Sequence, residues 1–219
     1  MEATPQIPSL ATSAPSPRSR SPVPGWLLFA VFTLSGISAL LYQMVWQRAL
    51  LTIYGSNVES VAMVVTAFMV GLGLGSLAGG VVSGRPGTPL VLLFSLAELG
   101  IGLYGWFSLH LFHWVGDLTL GAGSLMTGVL AFALIFIPTL FMGATLPLLV
   151  AHQVRQTASV GRSVSWLYFV NTLGAAVGAF LAAFVFLGQF GQSGSVRLAV
   201  LFNVIASISI LSAWILRRK

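Results

Sequence analysis

An all-α integral membrane bundle of about six transmembrane helices is the fold class this sequence predicts, and three observations carry it. Hydrophobic residues make up 57% of the 219 residues and charged ones only 6%, with a mean hydropathy of +0.96. A soluble domain is about one-quarter charged, so these charges are too few to cover a water-soluble fold. The apolar residues also fall in blocks close to the ~20 residues that cross a hydrocarbon core ~30 Å thick. None of the blocks alternates polar with apolar as the strands of a membrane barrel must. Cysteine is absent, which removes disulfides, thiol nucleophiles and thiolate metal sites and leaves the redox compartment unmarked.

Residues 1–24 are rich in Pro, Ser, Ala and Thr, with one acid and two arginines. Such a composition cannot bury enough surface to fold, and it predicts a disordered cytoplasmic tail. A transit peptide would be richer in arginine and amphipathic, and a cleaved signal peptide would have a shorter apolar core than Trp26 to Leu41. Residues 25–219 form the transmembrane domain, with apolar blocks at Trp26 to Trp46, Val58 to Val82, Pro89 to Phe107, Leu125 to Val150, Val164 to Phe190 and Leu198 to Ile215. With the N-terminus cytoplasmic, Arg18, Arg20, Arg85, Arg155, Arg162, Arg217, Arg218 and Lys219 lie inside and Arg48 and Arg197 outside. Eight basic residues against two predict an inner, plasma-membrane protein with both termini cytoplasmic. The same placement argues against nucleic acid as the partner of the +6 charge, since these basic ends meet lipid headgroups instead.

In the first block, Tyr42, Gln43, Trp46 and Arg48 of YQMVWQR read as an interfacial belt with a snorkelling arginine. A counter-ion for Glu59 is the functional alternative. The second block holds FMVGLGLGSLAGG, in which Gly73, Gly75 and Ala78 match the GxGxxA dinucleotide fingerprint. That fingerprint needs a preceding strand and a helix that opens at the glycines, whereas these glycines lie within an apolar helix. Gly71, Gly75 and Gly79 are spaced by four, and Gly174 and Gly178 repeat the spacing in the fifth block. Both stripes predict faces where a neighbouring helix approaches closely.

In the third block Glu98 lies nine residues beyond Pro89, about 14 Å deep at 1.5 Å per residue and close to the midplane. Ser95, Glu98, Gly102 and Gly105 form a small and polar stripe that predicts the inward face, and Leu96, Leu99, Leu103 and Phe107 form a lipid-facing one. Glu98 is expected to point into the bundle, held neutral by desolvation, with Asn171 of the fifth helix, at similar depth, among its candidate hydrogen-bond partners. Glu98 and Asn171 form the candidate intramembrane polar site, with a structural role and a proton- or cation-coupling role both open. His110, His113 and Asp117 in HLFHWVGD have spacings suited to a transition metal. The aromatic residues around them suit an ordinary interfacial helix end, and no metal or other cofactor is expected. Pro138 and Pro147 in the fourth block each delete a helical hydrogen bond and predict a kink or break.

Taken in order, LSGISALLYQMVWQRALLTIYGS, AFMVGLGLGSLAGG, AELGIGLYG, PTLFMGATLPLL and VNTLGAAVGAF resemble the membrane region of the spermidine-synthase-like membrane proteins, a major-facilitator-like module fused to a polyamine aminopropyltransferase. The likeness covers about residues 34–190 and implies a bundle similar to half of a major-facilitator transporter. Gly80, Arg85 and Gly87 of GVVSGRPG match the loop between helices two and three of those transporters, with Gly84 standing where an aspartate is usual. The aminopropyltransferase domain is not expected within these 219 residues, and a longer fused protein that continues past LRRK would supply it. With Glu2, Glu59, Glu98 and Asp117 as the four acids, a carboxylate pocket for a polyamine cannot be assembled. No catalytic and no cofactor-binding residue is therefore expected. The resemblance implies a non-catalytic module that anchors or docks a polyamine-related transferase or handles a small cationic solute. Its alternative is a half-transporter completed by a homodimer or another half.

Overall fold

The computed structural model describes residues 23–54 and 58–216, and every regular element among them is a helix. These are α1 (Gly25–Tyr54), α2 (Val58–Ser83), α3 (Leu90–Leu118), α4 (Ser124–Thr157), α5 (Val160–Leu181), a π-helical turn (Ala182–Phe186) and α6 (Leu187–Leu216). Five stretches are long and apolar enough to cross a membrane: Gly25–Thr52, Val61–Ser83, Leu90–Leu118, Leu125–Thr157 and Val160–Leu216. The chain is thus a helical, membrane-compatible bundle. The first and third helices outrun their apolar blocks, so His110, His113 and Asp117 are helical residues of α3.

The last stretch is 57 residues long, far more than the ~20 that span a bilayer. Its two ends run in opposite directions. Leu167 of α5 and Ala206 and Ile210 of α6 belong to one core cluster, shared with Leu28 and Phe32 at the start of α1 and with Phe94 and Leu149. Ala182 and Val196, between them in sequence, belong to the other cluster, with Trp46, Ile101 and Ile135. The reversal falls at Gly191, whose φ of 63° and ψ of −170° lie outside any helix. A residue with a Cβ is strained at that φ, and glycine is not. The starts of α1, α3 and α5 and the ends of α4 and α6 therefore lie at one end of the bundle. Val23 is buried in that end.

Glycine faces set the tightest seams. Along α2 and α4, a Cβ on Gly71 would strike Thr139, one on Gly75 the carbonyl of Leu140, and one on Gly79 would stand 2.8 Å from the Ala144 oxygen. Gly143 answers from α4 against Leu72. Along α1 and α5, Gly174 and Gly178 abut the carbonyls of Thr33 and Ile37, and Gly36 abuts that of Asn171. Both pairs of helices run parallel, because the contacts advance together in the two sequences. Small residues at four-residue spacing remove the side-chain layer and let backbones meet.

Candidate functional site

The inward stripe of α3 faces α1 on one side and α6 on the other. Glu98, on this stripe, is wholly buried. From α1, the Ser35 hydroxyl donates to Glu98 Oε1 at 2.6 Å. From α6, the Asn203 amide nitrogen donates to Glu98 Oε2 at 2.6 Å. Gly102, one turn on, leaves room for Asn203, whose Cβ would stand 3.5 Å from a Cβ at that position. One turn back, the Ser207 hydroxyl donates to the Ser95 carbonyl at 2.9 Å. A carboxyl group is thus clamped between three helices by two neutral donors. Asn203 is 1% exposed, and its amide oxygen has no hydrogen-bond partner.

Towards the other end of the bundle the same α1–α3 interface carries an aromatic plug. Tyr42 and Trp46 stack with ring centroids 4.8 Å apart, and the Trp46 indole N–H donates to Ser108 Oγ at 2.9 Å. The Tyr42 hydroxyl lies against Gly105, where a Cβ would come within 2.5 Å of it, and it too is buried without a hydrogen-bond partner. Small residues on α3 accommodate large rings on α1.

Asn171 does not reach Glu98. It lies on the α1–α5 seam, with its carbonyl and amide oxygens against Gly36. Equal depth was the sequence argument for the pair, but depth does not decide which helices touch. The helix that packs against the polar stripe of α3 is α6, so Asn203 takes the place expected of Asn171. Its signal in the sequence was faint: an asparagine four residues before Ser207 in an apolar run.

Neither Pro138 nor Pro147 breaks α4, which runs unbroken from Ser124 to Thr157. The carbonyl that Pro138 leaves without its i+4 donor is that of Leu134, and Tyr104 of α3 donates its hydroxyl to it. A neighbouring helix thus supplies the lost bond, which is how prolines persist inside membrane helices.

His113 turns Nδ1 to the carbonyl of Leu109, one turn back in its own helix, at 2.6 Å. No group of three His, Asp or Glu ligands comes together among the described residues. Arg48 is exposed, while the side chain of Glu59, its proposed partner, lies outside the described residues, as do Arg18, Arg20, Arg217, Arg218 and Lys219. One basic residue has a use that its position in the sequence did not announce. From the last turn of α4, the Arg155 guanidinium donates to the carbonyls of Ser83 at 2.9 Å, of Arg85 at 3.2 Å and of Thr88 at 3.2 Å. It ties the GVVSGRPG loop between α2 and α3 to α4. The loop is held through its backbone carbonyls.

Comparison of the chain with protein-family models, with curated proteins and with solved structures finds no match in any of the three.

Proposed function

We propose that the chain is a non-catalytic membrane module of six crossings, which anchors or docks a polyamine-related transferase and handles a small cation at Glu98. The sixth crossing comes from folding the 57-residue apolar stretch back at Gly191. The observation that carries the reading is the enclosure of Glu98. A carboxyl with neutral donors on both oxygens and no exposure is built to be held, and among the described residues no second acid is hydrogen-bonded to it. A carboxyl kept at such depth at the expense of its hydration marks a function of the bundle interior. The basic bias at the end that holds the start of α1 and the end of α6 supports an inner-membrane location with both termini cytoplasmic.

A half-transporter is the second reading, and the exposed flanks favour it. On α2 and α5, Leu74, Leu77, Leu173 and Phe180 are exposed, open to lipid or to another half.

Proteoliposomes containing the purified chain separate the two. A docking module retains a soluble aminopropyltransferase on flotation and takes up no labelled spermidine or putrescine. A half-transporter takes up label above empty vesicles, and Glu98→Gln abolishes the uptake. Neither retention nor uptake removes both readings.

A further inference from the structure

At the end of the bundle where α1 begins, three span boundaries meet: Gly25–Thr52 and Val160–Leu216 start there and Leu125–Thr157 ends there. Between them lies a groove of about 420 Å³, walled by Trp26 and Phe29 of α1, Gln153 and Thr157 of α4, and Arg162 and Trp166 of α5. Its position at three helix boundaries sets it at headgroup depth.

The groove has two chemically distinct parts. Phe29 and Trp166 stack at 6.0 Å, and Trp166 continues edge-on to Phe169 at 6.1 Å. Trp26, Trp166 and Phe169 are 69%, 49% and 55% exposed, so this aromatic wall is open along the side of the bundle. At the polar end the Thr157 hydroxyl is occupied, donating to Gln153 O at 3.0 Å and sharing a contact with Ser163 Oγ at 3.1 Å. Arg162 makes no hydrogen bond or ion pair with any described residue, and no acid among the described residues lines the groove.

We propose that this groove is a binding site for an anionic phospholipid, with the headgroup phosphate on Arg162 and Gln153 and an acyl chain along Phe29, Trp166 and Phe169. Guanidinium pairs with phosphate through parallel N–H donors, and basic pockets between transmembrane helices take anionic headgroups. A free phosphate would leave the aromatic wall unused. A choline headgroup would place its quaternary ammonium beside Arg162, where like charges repel. The site is independent of Glu98 and of any transferase.

The test uses the full chain, delipidated in detergent and mixed with equal amounts of phosphatidylglycerol and phosphatidylcholine, with bound lipid counted by native mass spectrometry. Wild type retains phosphatidylglycerol in preference. Arg162→Gln lowers that retention about fivefold, the effect of one basic residue at a membrane surface. Arg162→Lys keeps most of it, and Arg197→Gln, at the opposite end, leaves it unchanged. Trp166→Ala lowers retention with the charge intact and decides the matter if Arg162→Gln does not fold. Equal retention of the two lipids by wild type overturns the proposal, as does an Arg162→Gln protein that behaves like wild type. So does complete displacement of phosphatidylglycerol by millimolar inorganic phosphate, which would mark a free-anion site.

Discussion

Tyr104 donates its hydroxyl to the carbonyl of Leu134, the oxygen that Pro138 deprives of its helical partner. Two helices share one hydrogen bond that neither sequence segment explains alone. A buried acceptor left without a donor costs about 1–3 kcal/mol, and in hydrocarbon there is no water to replace it.

Tyr104→Phe is therefore expected to destabilise the protein by about 1–2 kcal/mol, measured by reversible unfolding in detergent. In a Pro138→Ala background the helix recovers its own N–H donor for Leu134, and the same substitution is expected to cost less than half as much. An equal cost in both backgrounds would dissociate the hydroxyl from the proline.

The second expectation concerns two glycines two residues apart. A Cβ on Gly75 meets the backbone of Leu140, whereas one on Gly73 meets nothing within 4 Å. Gly75→Ala must push α2 from α4 and is expected to cost about 1–3 kcal/mol, while Gly73→Ala is expected to be neutral or slightly stabilising. The dinucleotide reading, in which both glycines serve a phosphate, ranks them equally. Matching thermal stabilities for the two variants would remove the seam argument.

These glycines also mark what was legible in the sequence. Spacing by four is a local property, so the faces of Gly71, Gly75 and Gly79, and of Gly174 and Gly178, could be drawn before any helix had a neighbour. The inward stripe of Ser95, Glu98, Gly102 and Gly105 was legible for the same reason. Partnership was not. Asn171 and Asn203 are equally polar, and only the packing of α6 on α3 and of α5 on α1 distinguishes them. The turn at Gly191, by contrast, was legible: it opens GQSGSVR, the polar run between the fifth apolar block, ending at Phe190, and the sixth, starting at Leu198. Tyr104 and Arg155 act on carbonyls, which no residue pattern displays.

Gly191 leads to the third expectation. If the chain folds back there, Gln192 lies on the same side of the membrane as Ala122, and Ala158 on the opposite side. The absence of cysteine allows single cysteines at 122, 158 and 192 without background. A membrane-impermeant maleimide added to sealed, oriented vesicles is expected to label 122 and 192 alike and to spare 158, or the reverse in inverted vesicles. Joint labelling of 158 and 192 would mean that the last stretch does not turn at Gly191.

The fourth expectation follows from the unpaired amide oxygen of Asn203. Glu98 accepts on both oxygens, from Ser35 and from the Asn203 nitrogen. In Glu98→Gln one of those oxygens becomes an N–H donor, and where that nitrogen takes the side of Asn203 while Asn203 presents its own nitrogen, two donors face each other. Rotation of the Asn203 amide by half a turn replaces that nitrogen with the oxygen that now lacks a partner, and the hydrogen bond re-forms with its direction reversed. Glu98→Gln is accordingly expected to fold within about 1 kcal/mol of wild type. Glu98→Leu leaves Ser35 and Asn203 without their acceptor and is expected to lose about 2–4 kcal/mol, the cost of orphaning two buried polar groups. Asn203→Leu removes the rotating partner, so adding Glu98→Gln to it is expected to cost more than Glu98→Gln alone, whereas Asn171→Leu, on another seam, leaves that cost unchanged. Chemical unfolding in detergent measures all of these. If Glu98→Gln proved as unstable as Glu98→Leu, or if Asn171→Leu altered the cost of Glu98→Gln as Asn203→Leu should, the three-helix clamp around this carboxyl would be wrong.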